Sequence, residues 1–175
     1  MKKKFFSVSL LILILISLTA CGTETSLNTK PETVRQAALQ IASIDVPEGF
    51  RPEFSASLMG YTAASFRGQY ETSHLYLIQS DKDDDQEQLE QMLSEIVIGT
   101  GDGVTGLVVV DIQKAEVRGE ETQMIISEGV NSEGVTYRQG AAVFQGNGGP
   151  ALLVYLESVG NWDQAVFDTL LASIQ

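Results

Sequence analysis

Four strand-like runs follow one another in the second half of the chain with almost nothing between them: "LVVVDIQKAEVRG" (107–119), "ETQMIISEGV" (121–130), "VTYRQGAAVFQ" (135–145) and "ALLVYLESV" (151–159). The separators are Gly119-Glu120, "NSEG" and "GNGGP", sequences rich in the residues that close tight turns. Parallel neighbours need a crossover of a dozen or more residues, so separators this short force each run antiparallel to the last. The second half is therefore expected to be an antiparallel meander, and whatever else the chain contains must pack on it.

Helical periodicity supplies the packing elements. In "PETVRQAALQIASI", Pro31 suits a first helical position, and Val34, Ala38 and Ile41 share one face. "DVPEGF" (45–50) breaks that helix. In "FSASLMGYTAASFRGQY" short strands fit better than a helix, with Gly60 and Gly68 as punctuation, and "SHLYLIQ" (73–79) reads as a buried strand. A second helix is expected over 81–99, where Leu89, Met92, Leu93, Ile96 and Val97 form one apolar stripe, Asp84 and Glu87 are a capping pair, and Gly99 ends the run. A third is expected from Asn161, an N-cap candidate with Gln164 three residues on; Trp162, Val166, Leu170 and Ile174 mark its buried side, with Phe167 and Leu171 beside it. Strands grouped together with helices at their ends define an α+β class, an antiparallel sheet with two or three helices packed on it.

The start of the chain concerns location rather than shape. Lys2, Lys3 and Lys4 precede an apolar run over 5–20, whose most apolar part is far shorter than the about 20 residues a membrane helix needs. Lysines, a short apolar core and small residues at its end make the layout of a secretory signal peptide. It ends in Leu18-Thr19-Ala20-Cys21, which resembles the lipobox of bacterial lipoproteins. The resemblance implies a diacylglyceryl thioether on Cys21 and cleavage before it. Lipidation also accounts for the only cysteine in the chain, which is otherwise an unpaired exported thiol. The expected organisation is a cleaved leader at 1–20, a lipidated N-terminus and short tether at 21–30, and a single exported domain at 31–175. The anchored domain is expected to face away from the cytoplasm; Gly22 is not the Asp typical of inner-membrane retention, so the resemblance implies the outer membrane if the cell has two membranes, and otherwise the outer face of the plasma membrane.

Loss of residues 1–20 takes three lysines with it and leaves 8 basic residues against 23 acidic ones, a formal charge of −15. Nucleic acid is excluded as a partner on that balance, because its binding depends on cationic side chains meeting phosphates. General adhesion to anionic lipid through the protein surface is disfavoured in the same way.

Motifs that suggest chemistry fail on context. "GDGVTG" (101–106) satisfies G-x-G-x-x-G, but a dinucleotide loop must follow a strand and open a helix, and this one precedes the strand-like "LVVVDI". "DKDDD" has acids at 81, 83 and 85, the alternate spacing of a calcium loop, yet Gln86 and Met92 occupy positions where an EF-hand needs Gly and a bidentate Glu. His74 is the only histidine, too few for a zinc site, and no G-x-S-x-G elbow accompanies it. No catalytic, cofactor or metal residue is assigned, and no cofactor is expected; Cys21 is the one assigned site.

From "IDVPEGF" through a mid-chain helix to "VRGEETQMIISEG...VTYRQGAAVFQGNGGPALLVYLES" and a closing helix ending "LLASIQ", the element order of residues 44–175 resembles the PsbP/Mog1 type of domain. Its aromatic lead-in is replaced here by Ile44, Pro47 and Phe50. The resemblance implies a non-enzymatic accessory domain that binds other proteins, and it carries over no functional residue. The leading expectation is thus an anchored accessory lipoprotein with a protein partner. A small-ligand-binding lipoprotein is the alternative, for which a cavity lined by Tyr61, Phe66, Tyr70 or Tyr76 would speak, and a hydrolase using His74 comes third.

Overall fold

The computed structural model describes residues 26–70, 72–82 and 105–175. Its frame is one eight-stranded antiparallel sheet. In chain order the strands are β1 (Ser26–Asn28), β2 (Arg51–Leu58), β3 (Tyr61–Arg67), β4 (His74–Ser80), β5 (Thr105–Val117), β6 (Glu120–Val130), β7 (Thr136–Gln145) and β8 (Pro150–Ser158). Across the sheet they lie β1-β2-β3-β4-β8-β7-β6-β5. Two meanders, β1–β4 and β5–β8, therefore meet at the β4/β8 seam, where Leu77 lies opposite Leu153 and Leu75 opposite Tyr155. The meander expected in the second half is present, each strand within two residues of its expected start and end. Ser26–Asn28, inside the stretch read as a tether, pairs with Ser55–Ser57 as the sheet's first edge.

Turn chemistry sets the registers. Met59 and Gly60 both have positive φ, 53° and 88°, the conformation a two-residue hairpin needs so that its twist matches the strands. Arg118 and Gly119 repeat the arrangement between β5 and β6, one residue earlier than Gly119-Glu120. In "NSEG" the Asn131 side chain does the work: its Oδ1 accepts from the N–H groups of Glu133 and Val135.

Two helices are described, α1 (Pro31–Ile41) and α2 (Gln164–Ala172). In α1, Pro31 takes the first helical turn as expected, and Val34, Ala37, Ala38 and Ile41 face the sheet. The helix stops at Ile41 rather than running on to Ile44. Ala42 is extended, and Ser43 exchanges two backbone hydrogen bonds with Gln175, so the chain leaving α1 is tied to the C-terminus. The Asn161 cap is corrected: Asn161 donates its N–H to Ser158 in the turn after β8, and Asp163 caps α2 by accepting from the Ala165 N–H at 2.9 Å. That start also turns the helix. Phe167, Leu170, Leu171 and Ile174 are buried, while Trp162 and Val166 are only half-buried. Of the helix expected over 81–99, all but Asp81 and Lys82 lies outside the described residues.

Both helices cover the same face. Their apolar side chains join Phe66, Leu75, Leu77, Met124, Ile126, Phe144, Leu153 and Tyr155 in one cluster. Gly140 on β7 permits the closest approach: a Cβ there would stand 2.5 Å from Phe167 Cε1 and 2.8 Å from the Trp162 ring. The opposite face holds a smaller cluster of Tyr76, Ala141, Val143, Leu152 and Val154. Among the described residues no helix is long and apolar enough to cross a membrane. The α+β class is thus established, as an antiparallel sheet with two described helices.

Candidate functional site

Polar chemistry collects at the end of the sheet remote from the Met59-Gly60 hairpin. Strand register sets Arg51, Arg67 and His74 side by side on β2, β3 and β4. A β-bulge between Pro52 and Phe54 inserts Glu53 as an extra residue, which re-aims its side chain into this row. Its carboxylate then takes Arg67 Nη2 at 2.8 Å on Oε1 and the Ser65 hydroxyl at 2.8 Å on Oε2, with His74 Nδ1 3.5 Å away. His74 is buried and its ring stacks on Tyr76 at 5.7 Å. Burial pushes the Tyr76 phenol well above the ordinary tyrosine range, the Glu53 carboxylate adding to the shift and Arg67 opposing it.

A serine, a histidine and a carboxylate are therefore neighbours, but not in the order a hydrolase uses. The serine hydroxyl donates to the carboxylate rather than to the imidazole, and Ser65 is fully buried. A second serine–carboxylate pair lies on the helix-covered face. Glu157, itself buried, accepts from the Thr72 and Ser73 hydroxyls and from the Ser158 N–H. Four polar hydrogens around one buried carboxylate, counting the Ser158 hydroxyl, satisfy its lone pairs and pin the start of β4 to the end of β8. The Tyr155 phenol is pushed up to about 12 by burial, with the Glu157 and Asp163 carboxylates adding to it. Among the described residues no three of His, Cys, Asp and Glu cluster as metal ligands would.

Two further features bear on recognition. An open cleft of about 390 Å³ runs between α1 and the 44–52 segment, lined by Leu39, Ile44, Val46, Phe50 and Phe66, with Arg35 and Asp45 at its polar margin. The four aromatics that would mark a ligand cavity do not converge on it: Phe66 alone lines the cleft, Tyr61 lines a separate depression by the hairpin, Tyr76 is buried on the other face, and Tyr70 is exposed. The second feature is β5, the last strand of the sheet among the described residues. Val108, Val109, Val110 and Ile112 are exposed there by 64, 44, 50 and 58%. Pairing with β6 is irregular between Thr105 and Val108 and again between Val109 and Asp111, and the regularly paired Val108 and Val109 are exposed as well as Val110 in the bulge.

Cys21 and most of the glycine and acidic motifs (83–85, 101–104) lie outside the described residues. Gly106, the last glycine of "GDGVTG", stands within β5 at φ 66°, so that motif does lead into a strand. Arg51, Glu53 and Arg67 carry no motif and were not singled out from the sequence. No protein-family model matches this chain, and no curated protein matches it.

Proposed function

We propose that this protein is an exported bacterial lipoprotein, anchored by lipid on Cys21, whose domain acts as a non-enzymatic accessory module that docks a protein partner on the β5 edge of its sheet. The observation that carries the reading is the exposed apolar stretch Val108–Ile112 on a terminal strand. Apolar edges are hazards that proteins blunt with charge or cover, and one left bare among the described residues fits a surface kept for a partner. Its two bulges limit ladder extension, so side-chain contact rather than a long added strand supplies the docking energy.

Placement supports the same reading. Only Gly22 to Thr25 separate Cys21 from β1, so the β1 edge lies near the bilayer in an anchored molecule. The β5 edge is seven strand spacings away, roughly 34 Å, and clear of the membrane. The element order resembling the PsbP/Mog1 type implies an accessory role of this kind. The small-ligand reading keeps one observation in its favour, the cleft beside α1.

The test is in-cell crosslinking with a photoreactive residue at position 110, or at position 39 in the α1 cleft, each with and without Cys21→Ser. A discrete adduct at 110 that disappears with Cys21→Ser is the expected result. Adducts at 39 alone would replace the edge with the cleft, and adducts unaffected by Cys21→Ser would remove the anchor from the mechanism.

A further inference from the structure

We propose that Arg51 and Arg67 form a binding site for a phosphate group. Their placement is unfavourable without an anion. They are directly opposed across β2 and β3, and like charges in that position destabilise a sheet. The chain has few cations to spend so: after residue 20 there are 8, and two of them meet here. Glu53 offsets one. It takes Arg67 on Oε1, while its other oxygen receives Ser65 and faces His74. Among the described residues no carboxylate pairs with Arg51, which remains an exposed cation beside another cation.

The space around the pair is suited to a ligand. Arg51, Arg67 and Glu53 line an open pocket of about 500 Å³ with Gly49, Pro52, Gly68 and Gln69. Pro52 removes one strand N–H from an edge that β1 does not reach, since β1 covers only Ser55–Ser57. Glu53 meets Arg67 through Nη2 on Oε1 alone, and a guanidinium carries five N–H donors. Two guanidinium groups from neighbouring strands offer the planar donor pairs that take phosphate oxygens bidentately, in a monoester or a diester alike. Among the described residues, those that line the pocket carry one net positive charge within a strongly acidic molecule. The phosphate is either that of a free small molecule or that of a lipid headgroup.

The experiment is isothermal titration calorimetry on the full chain in nonionic detergent, with inorganic phosphate and with glycerophosphoglycerol, the deacylated headgroup of an anionic phospholipid; acetate is the third titrant. Saturable binding of at least one phosphate compound, weakened by added salt because the site is exposed, is expected. Arg51→Ala should weaken it about tenfold or more, the scale of one lost charged hydrogen-bond pair, and Arg51→Lys by less. Preference for inorganic phosphate identifies a soluble ligand, and preference for the headgroup compound a lipid. Thermal unfolding of Arg51→Ala should hold or rise, since it relieves the opposed charges, which separates lost binding from lost fold. No saturable phosphate binding, equal binding of acetate, or binding unchanged in Arg51→Ala would overturn the proposal.

Discussion

Strand β8 lies between β4 and β7 and buries every residue from Pro150 to Glu157, whereas β5 is the last strand among the described residues and leaves three valines and an isoleucine exposed. The two strands are made of similar material, "ALLVYLES" and "LVVVDIQ". Apolar β-branched and leucine side chains make both extended. What separates them is position: a central strand has neighbours on both sides and side chains packed on both faces, and a terminal one has neither guaranteed. Apolar content thus decides that a strand forms, and its place in the sheet decides whether that content serves stability or recognition.

The sharpest way to break this comparison is to shorten one side chain in each strand. Leu153 is fully buried opposite Leu77 and Ala142, and Leu153→Ala should cost about 2–5 kcal/mol by lost burial plus the cavity left behind. Val110→Ala should stay within about 0.5 kcal/mol, as an exposed position away from caps and turns. Denaturant midpoints of the two variants decide it. Comparable losses would mean that β5 is as much a part of the core as β8.

A somewhat smaller effect is expected where β7 meets α2. Gly140→Ala would put a methyl group against the Phe167 ring, and overpacking of this kind costs about 1–3 kcal/mol. Combining it with Phe167→Leu should recover part of the loss, because the clash is with the aromatic ring itself. Non-additivity in that double-mutant cycle, read from thermal or urea unfolding, would verify that the contact is specific. Strict additivity would dissolve it.

These contrasts also explain what was legible beforehand. Short turns between "VRGEETQ", "GVNSEGV" and "FQGNGGP" dictated antiparallel neighbours, and Val34, Ala38 and Ile41 dictated the buried face of α1. Which meander edge would be free was not legible, because β4 could have joined β5 as readily as β8 on local pattern alone. The early end of α1 depends on Gln175, over a hundred residues away. Asn161 and Asp163 are equally good caps by type, and only the turn after β8 chooses between them. The Arg51–Arg67 row had a readable signal: a hairpin centred on Met59-Gly60 brings position 51 opposite 67 or 68. The one-residue bulge at Glu53 selects 67, and nothing local in the sequence announces a bulge.

Alkaline titration sharpens the comparison from the buried side. Tyr155, on β8, sits against Phe50, Trp162 and Phe167, and its phenol is pushed up to about 12 from 10.0. The folded state holds that proton more tightly than the unfolded chain. The associated stability is therefore complete below about pH 10 and is lost as pH rises through about 12. Tyr155→Phe should flatten the fall in unfolding free energy over that window while leaving the neutral-pH value nearly unchanged. An alkaline limb identical in wild type and variant would assign the loss to other groups, Tyr76 first among them.

The smallest expected effect on stability falls on β5, where the largest effect on recognition is expected. Val110 occupies the irregularity between Val109 and Asp111, so it has no register partner on β6, and half of its surface is in solvent. Val110→Lys should leave the unfolding free energy within about 0.5 kcal/mol of wild type. A lysine on an edge strand is also the usual device for preventing apolar contact with another chain, since docking would bury its charge. Crosslinked adducts formed from position 108 should therefore disappear in Val110→Lys while Leu153→Val, a conservative change in the buried strand, leaves them intact. If the lysine variant still docks, the partner does not use this edge, and the exposed valines require another explanation.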